Sequence, residues 1–104
     1  MREYRVIVGS SAKRDMLELR RYIANVLHEP GSAERIFASI KGEILSLGYG
    51  PMRCPVIRDE PYASLGIRLL AVENYIAFYA VNQRNHEVHV LRVAYNRRDW
   101  QNVL

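Results

Sequence analysis

The run IRLLAVENYIAFYAVNQRNHEVHVLRVAY, residues 67–95, decides the fold. It contains three segments rich in β-branched and aromatic residues: Ile67 to Val72, Tyr75 to Val81 and Glu87 to Tyr95. Glu73-Asn74 separates the first two, and the polar run Asn82-Gln83-Arg84-Asn85-His86 separates the last two. Connections this short join neighbouring antiparallel strands, so the run predicts a three-stranded meander. The middle segment is apolar on both alternations, with Tyr75, Ala77 and Tyr79 on one and Ile76, Phe78 and Ala80 on the other. Such a strand is covered on both faces or lies centrally in its sheet.

Upstream, Tyr4 to Val8 reads as a further short strand, ended by Gly9-Ser10-Ser11, whose serines are placed to cap a helix. Ala12, Met16, Leu19, Ile23, Val26 and Leu27 then recur at helical steps, until His28-Glu29-Pro30-Gly31 closes the arm. A second arm is expected from a Ser32 cap, with Ala33, Ile36, Phe37, Ile40, Ile44 and Leu47 as its apolar stripe and Gly48 as its stop. Gly42 inside that arm implies a close helix–helix approach. The short linker makes the arms antiparallel neighbours. Residues 48–66, punctuated by Pro51, Pro55 and Pro61, read as loop with some extended structure. The fold class is therefore α+β: an N-terminal strand, a long antiparallel helical hairpin, and a meander forming a single sheet with the helices packed on one face. The tail from Asn96 to Leu104 reads as a final turn or helix anchored by Trp100, Val103 and Leu104.

Composition sets the outer limits. A chain of 104 residues is one domain, 1–104, with room for a core of its own. No apolar run is long enough to span a membrane, and the first residues lack a signal-peptide core. The single Cys54 cannot close an internal disulfide, so a reducing, cytoplasmic setting is expected, with Cys54 as a small, partly buried residue. A net charge of +4 points to an anionic partner, either nucleic acid or an acidic protein.

Catalytic and metal motifs are sparse. His86 and His89 are three apart, which on a strand sends them to opposite faces, so no metal site is expected. Ser10 and Ser11 sit where caps belong, Cys54 has no evident base, and Asp59-Glu60 fit a solvated loop. No glycine-rich phosphate loop is present, and no cofactor is implied. Arginine remains. Arg68 and Arg92 lie inside apolar strands, where arginine is unusual unless it reaches a partner. Tyr95, Arg97, Arg98 and Trp100 follow, mixing guanidinium forks with aromatic rings suited to phosphates and stacked bases. These six are the candidate target-binding residues. Taken singly, Arg97 and Arg98 also fit a solvated edge, and Arg68 a pair with Glu73 or Asp99.

The whole chain resembles the RelE/ParE superfamily of toxins from type II toxin–antitoxin systems. The residues that carry the likeness are Tyr4-Arg5-Val6, then Asp15 and Tyr22-Ile23 on the first arm, and Ala33-Glu34-Arg35 to Ile44-Leu45-Ser46-Leu47 with Pro51. Arg68, Asn74 to Tyr79, Val88 to Val93 and Arg97-Arg98-Asp99-Trp100 complete it. The resemblance implies a growth-inhibiting toxin, of the kind used in plasmid stabilisation, neutralised by a cognate antitoxin and meeting operator DNA only through it. ParE-like members poison DNA gyrase and are not enzymes. RelE-like members are ribosome-dependent mRNA endoribonucleases (mRNA interferases). In the latter case Arg68, Arg92, Arg97 and Arg98 would be the catalytic candidates. Other members act only as binding partners. RelE-like chains carry an arginine directly after the tyrosine of the middle strand and a basic residue after the last strand; here these positions are Ile76 and Asn96. With hairpin arms of about eighteen residues, these departures favour the ParE-like branch.

Overall fold

The computed structural model of the chain describes residues 3–95 and Leu104. Four strands, β1 (Arg5–Val8), β2 (Arg68–Val72), β3 (Tyr75–Asn82) and β4 (Glu87–Tyr95), form one sheet in the order β1-β4-β3-β2. The meander is antiparallel throughout, with Leu70 opposite Ala77 and Ala77 opposite Val93. Glu73 turns the first hairpin with a left-handed φ of 54°. The first strand joins the sheet at its far edge, parallel to β4, with Arg5 opposite Glu87 and Val8 opposite Val90.

Between β1 and β2 lies the hairpin. Helix α1 (Ser10–Arg21) runs into a π-helical turn at Tyr22–Val26, and α2 (Pro30–Ser46) is followed by a 3-10 turn at Leu47–Tyr49. The arms have the expected length, but their ends are built differently from the sequence reading. Gly9 occupies the N-cap of α1 and no serine side chain caps it. Helix α2 starts at Pro30, whose fixed φ suits the first helical position, so Ser32 and Gly31 lie inside the helix. His28 makes the turn instead, at φ 56°. Gly42 faces open space, so it marks no close approach. The close approach is at Gly48, buried in the 3-10 turn, where an added Cβ would lie 2.8 Å from the Tyr4 carbonyl oxygen. The Tyr4 N–H in turn donates to the Gly48 carbonyl (2.8 Å). Gly48 thus ties the end of the hairpin to the start of β1 rather than acting as a simple helix stop.

The apolar stripes of the hairpin pack on one sheet face. Ala12, Met16, Ile40, Ile44 and Leu47 meet Leu70, Val72, Ala77, Tyr79, Val88, Val90 and Val93. Removing a side chain of Leu or Ile size from water is worth about 2 kcal/mol, so this layer dominates stability. Arg20 adds a second link between the arms, its guanidinium lying 4.4 Å from the Phe37 ring centroid. The opposite face carries a smaller core of Ile57, Ile67, Ile76 and Phe78, with Tyr62, Leu69, Leu91, Ala94 and Leu104 against it. Both alternations of β3 are therefore buried, as its sequence requires. The cover on the second face comes from the segment after α2, whose Val56 bridges Arg68 at the sheet edge.

A β-bulge interrupts the β3–β4 ladder. Phe78 opposes Arg92, Tyr79 opposes Val90, and Leu91 is the extra residue. The bulge lets Val90 and Val93, three apart, both reach the helical face, which strict alternation forbids.

Candidate functional site

The parallel pairing of β1 with β4 stops at Val8 and Val90, and the Gly9 N–H closes it on the Val90 carbonyl (2.9 Å). The chain then turns into α1, while β4 continues to Tyr95 with no strand of the described residues on that side. An exposed strand edge leaves main-chain donors unpaired. Here Asp15 of α1 takes the place of a strand. Its Oδ2 accepts the Val93 N–H (2.9 Å) and the Arg92 Nε–H (2.7 Å), and its Oδ1 accepts from Arg92 Nη2 (2.9 Å). The Asp15 side chain is only 12% exposed. This paired, bidentate geometry pushes the Arg92 guanidinium above its ordinary pKa, the hydrogen bonds to Asp15 outweighing the opposing effect of burial.

Beside this clamp a groove of about 800 Å³ opens between α1 and the ends of β3 and β4. Asp15, Glu18, Leu19 and Tyr22 line it from α1, Leu27 from the hairpin turn, Tyr75 from β3, and Arg92 to Tyr95 from β4. Asp15, Leu19 and Tyr22 fall at i, i+4 and i+7, on one helix face. The Tyr75 and Tyr95 rings meet edge to face with centroids 5.4 Å apart. Burial raises the Tyr75 phenol pKa, and the nearby Tyr95, Glu73 and Tyr22 raise it further.

The six candidate residues divide. Arg92 and Tyr95 share the groove. Arg68 lies elsewhere, at the outer edge strand, beside a smaller hollow lined by Met52, Val56, Val81 and Gln83. Its Nη1 donates to the Met52 carbonyl (3.2 Å) and to the Cys54 carbonyl. Arg68 therefore fastens the segment after α2 to the sheet and does not pair with Glu73, which takes Arg35 (3.1 Å). Tyr79 makes a second fastening, its buried hydroxyl donating to the Pro51 carbonyl (2.8 Å). Burial, then the Cys54 thiol beside it, pushes the Tyr79 phenol upward. Cys54 itself is partly buried. Arg97, Arg98 and Trp100, together with Asn96, Asp99 and Val103, lie outside the described residues.

A third polar cluster sits where β1 meets β4. Glu87 accepts from Arg5 and pairs with His89 Nε2 (3.0 Å). These contacts, Arg5 first, hold the Glu87 carboxyl below the usual range. His86 is not part of the cluster; it turns the strand connection at φ 55° and packs on the Tyr4 ring at 5.0 Å. Among the described residues no group of three or more His, Cys, Asp and Glu side chains is placed to hold a metal ion. Nor is any helix among them long and apolar enough to cross a membrane.

The sequence reading missed Asp15 and Glu18 as site residues. Asp15 and Arg92 are 77 positions apart, so no local spacing connects them. The available signal was a carboxylate in line with the apolar stripe of α1, where a solvated acid does not belong.

Residues 6–100 match the family model of the ParE toxin of the type II toxin–antitoxin system parDE. The chain belongs to this family. It is the toxin component of a type II module. No curated protein matches the toxin. Among solved structures, it is similar to a chain of the chromosomal ParDE system of Pseudomonas aeruginosa. The TM-score is 0.74 at 19% identity, over 91% of this toxin and 98% of that chain. It is similar to a chain of the RelBE2 toxin–antitoxin complex of Mycobacterium tuberculosis, with TM-score 0.68, 23% identity and coverages of 89% and 98%. An arginine-to-alanine double variant of Escherichia coli RelE in the free state gives TM-score 0.67 at 12% identity, over 97% and 92%. The expected architecture of helical hairpin and open sheet is thus the fold of this superfamily.

Proposed function

We propose that the toxin is neutralised by a cognate antitoxin and that, once released, it stops growth by acting on DNA gyrase rather than by cutting mRNA. The observation that carries the choice is Ile76. RNA cleavage through the 2′-hydroxyl needs groups that move protons and stabilise charge on the phosphate. In RelE-like chains an arginine follows the tyrosine of the middle strand. Here that position holds an isoleucine 6% exposed, packed with Ile57, Ile67 and Phe78. An apolar side chain sealed in a core can do neither task. Arg92, a second arginine such a reaction would call on, is bound to Asp15. The long hairpin arms and Asn96 at the close of β4 point the same way.

An antitoxin partner is supported by family membership and by the similar RelBE2 toxin, which was solved as a toxin–antitoxin complex. A basic toxin suits an acidic, partly disordered partner segment. Operator DNA would be contacted through that partner.

Induction of the toxin without antitoxin, following plasmid supercoiling, protein-linked DNA breaks and mRNA integrity together, tests the reading. Altered supercoiling and protein-linked breaks with intact mRNA are expected. Cut mRNA with normal supercoiling would assign the endoribonuclease activity instead, and no growth defect would make the chain a binding partner only. The double variant Arg92→Ala with Arg97→Ala is expected to weaken toxicity more than Lys13→Ala with Arg14→Ala. Equal effects would remove the C-terminal arginines from the working surface.

A further inference from the structure

The toxin carries a net charge of +4, yet its groove is locally acidic. Asp15 and Glu18 face one guanidinium, Arg92, and Asp15 and Arg92 already satisfy each other. Glu18, for which no salt bridge is seen among the described residues, acts on the same guanidinium through its field, so the described lining holds one carboxylate more than it holds guanidinium. Around Glu18 stand three tyrosines, and the groove mouth keeps large apolar surface in water. Tyr22 is 53%, Leu27 48% and Tyr95 44% exposed. Contiguous exposed apolar surface in a concave place marks an interaction site.

The chemistry of the lining selects the ligand. Tyrosine faces attract cations through the ring quadrupole, and a carboxylate beside them adds a charge partner. Arginine suits both at once, because its planar guanidinium stacks on a ring while its edge donates to a carboxylate. A phosphate or an acidic side chain would instead meet Glu18 as a like charge. We propose that this groove receives an arginine presented between apolar side chains by a protein partner. Tyr22 and Tyr95 supply the ring faces, Glu18 the counter-charge, and Leu19, Leu27 and Val93 the walls for the flanking residues. The surface thus runs against the charge of the chain as a whole, and the site stands whether the toxin's target is gyrase or the ribosome.

The test is an amide NMR titration of the full-length toxin with the capped tripeptide acetyl-Leu-Arg-Leu-amide. Its comparator carries citrulline, the uncharged isostere of arginine. Saturable shifts are expected at residues 18–22, at Leu27 and Tyr75, and at 93–95. Binding should be about tenfold weaker for the citrulline peptide. Glu18→Gln should weaken the arginine peptide about threefold and leave the citrulline peptide unchanged, and Tyr22→Ala should weaken both. Glu18 and Tyr22 are exposed, and the dispersion of the free-protein spectrum checks that each variant folds. Equal affinity for the two peptides would overturn the proposal, as would shifts confined to other surfaces. A short single-stranded oligonucleotide that perturbs the groove residues while the arginine peptide does not would replace the protein partner with nucleic acid.

Discussion

Along β4 the first four residues and the last five are held to their neighbours by different means. Glu87 to Val90 pair with a strand through a main-chain ladder, to which Arg5 and Glu87 add one side-chain ion pair. Leu91 to Tyr95 have no strand of the described residues on that side, and one carboxylate, Asp15, receives both the Val93 N–H and the Arg92 side chain. The difference has two consequences. A backbone ladder tolerates most side-chain changes, because every residue but proline carries the same donor and acceptor. The capped half depends on a single side chain 78 positions away. And where no strand fills the edge, a groove remains, lined by groups that a filled sheet would have hidden.

The largest expected effect is therefore Asp15→Ala. It leaves the Val93 N–H without an acceptor and the Arg92 guanidinium without its counter-charge. Because Arg92 keeps contact with water, we expect about 2–3 kcal/mol of destabilisation rather than the larger cost of breaking a fully buried pair. Urea unfolding measures it. Asp15→Asn should recover part of the loss, since a carboxamide oxygen can still accept the Val93 N–H. If Asp15→Ala is neutral, the Asp15 carboxylate does not hold the second half of β4.

Gly48→Ala probes the other half. A Cβ 2.8 Å from the Tyr4 carbonyl forces the start of β1 away from the hairpin. A cost of about 1–3 kcal/mol is expected, as for overpacking elsewhere. Amide hydrogen exchange should localise it, with protection lost across Arg5–Val8 while the Val93 amide holds. Uniform loss over the sheet would show that the edge strand and the cap open together.

The smallest effect is Glu87→Gln, and it carries a pH signature. Arg5 and His89 lower the folded pKa of Glu87 below its ordinary 4.5. A group depressed in this way contributes stability above the unfolded pKa and loses it as pH falls through the folded one. The wild-type advantage over Glu87→Gln should thus be present at neutral pH and fade below about pH 4.5. An advantage that persists in acid would assign it to packing.

The helical arms and the meander were legible because their apolar spacings are local and continuous. Ala12, Met16, Leu19 and Ile23 declare one period, Tyr75 to Val81 another. The double cover of β3 was legible too, because no residue on either alternation suits water. Helix ends were read less well. Serine is a good cap in general, but Pro30 starts α2 two residues before Ser32, and Gly9 starts α1 with no side-chain cap. Glycines misled in the same way. Gly42 lies in the open and Gly48 at a close approach, a difference set by Tyr4, more than forty positions away. Of the arginines, Arg68 and Arg92 stand out in the sequence as unusual in apolar strands, and both do reach partners. Those partners, the Met52 and Cys54 carbonyls and the Asp15 carboxylate, come from other parts of the chain.

By itself, then, the sequence determined the elements, their order and the family, because these rest on periodicity and composition that act over a few residues at a time. Tertiary structure decided that β1 lies parallel to β4 and ends four residues along it, that Asp15 closes the edge beyond, and that the space left over is a tyrosine-lined groove with a carboxylate at its side. These are consequences of which distant segments meet. Hydrogen-bond donors left at a strand's edge must be satisfied by whatever the fold brings to them, and a local pattern carries no record of what that is.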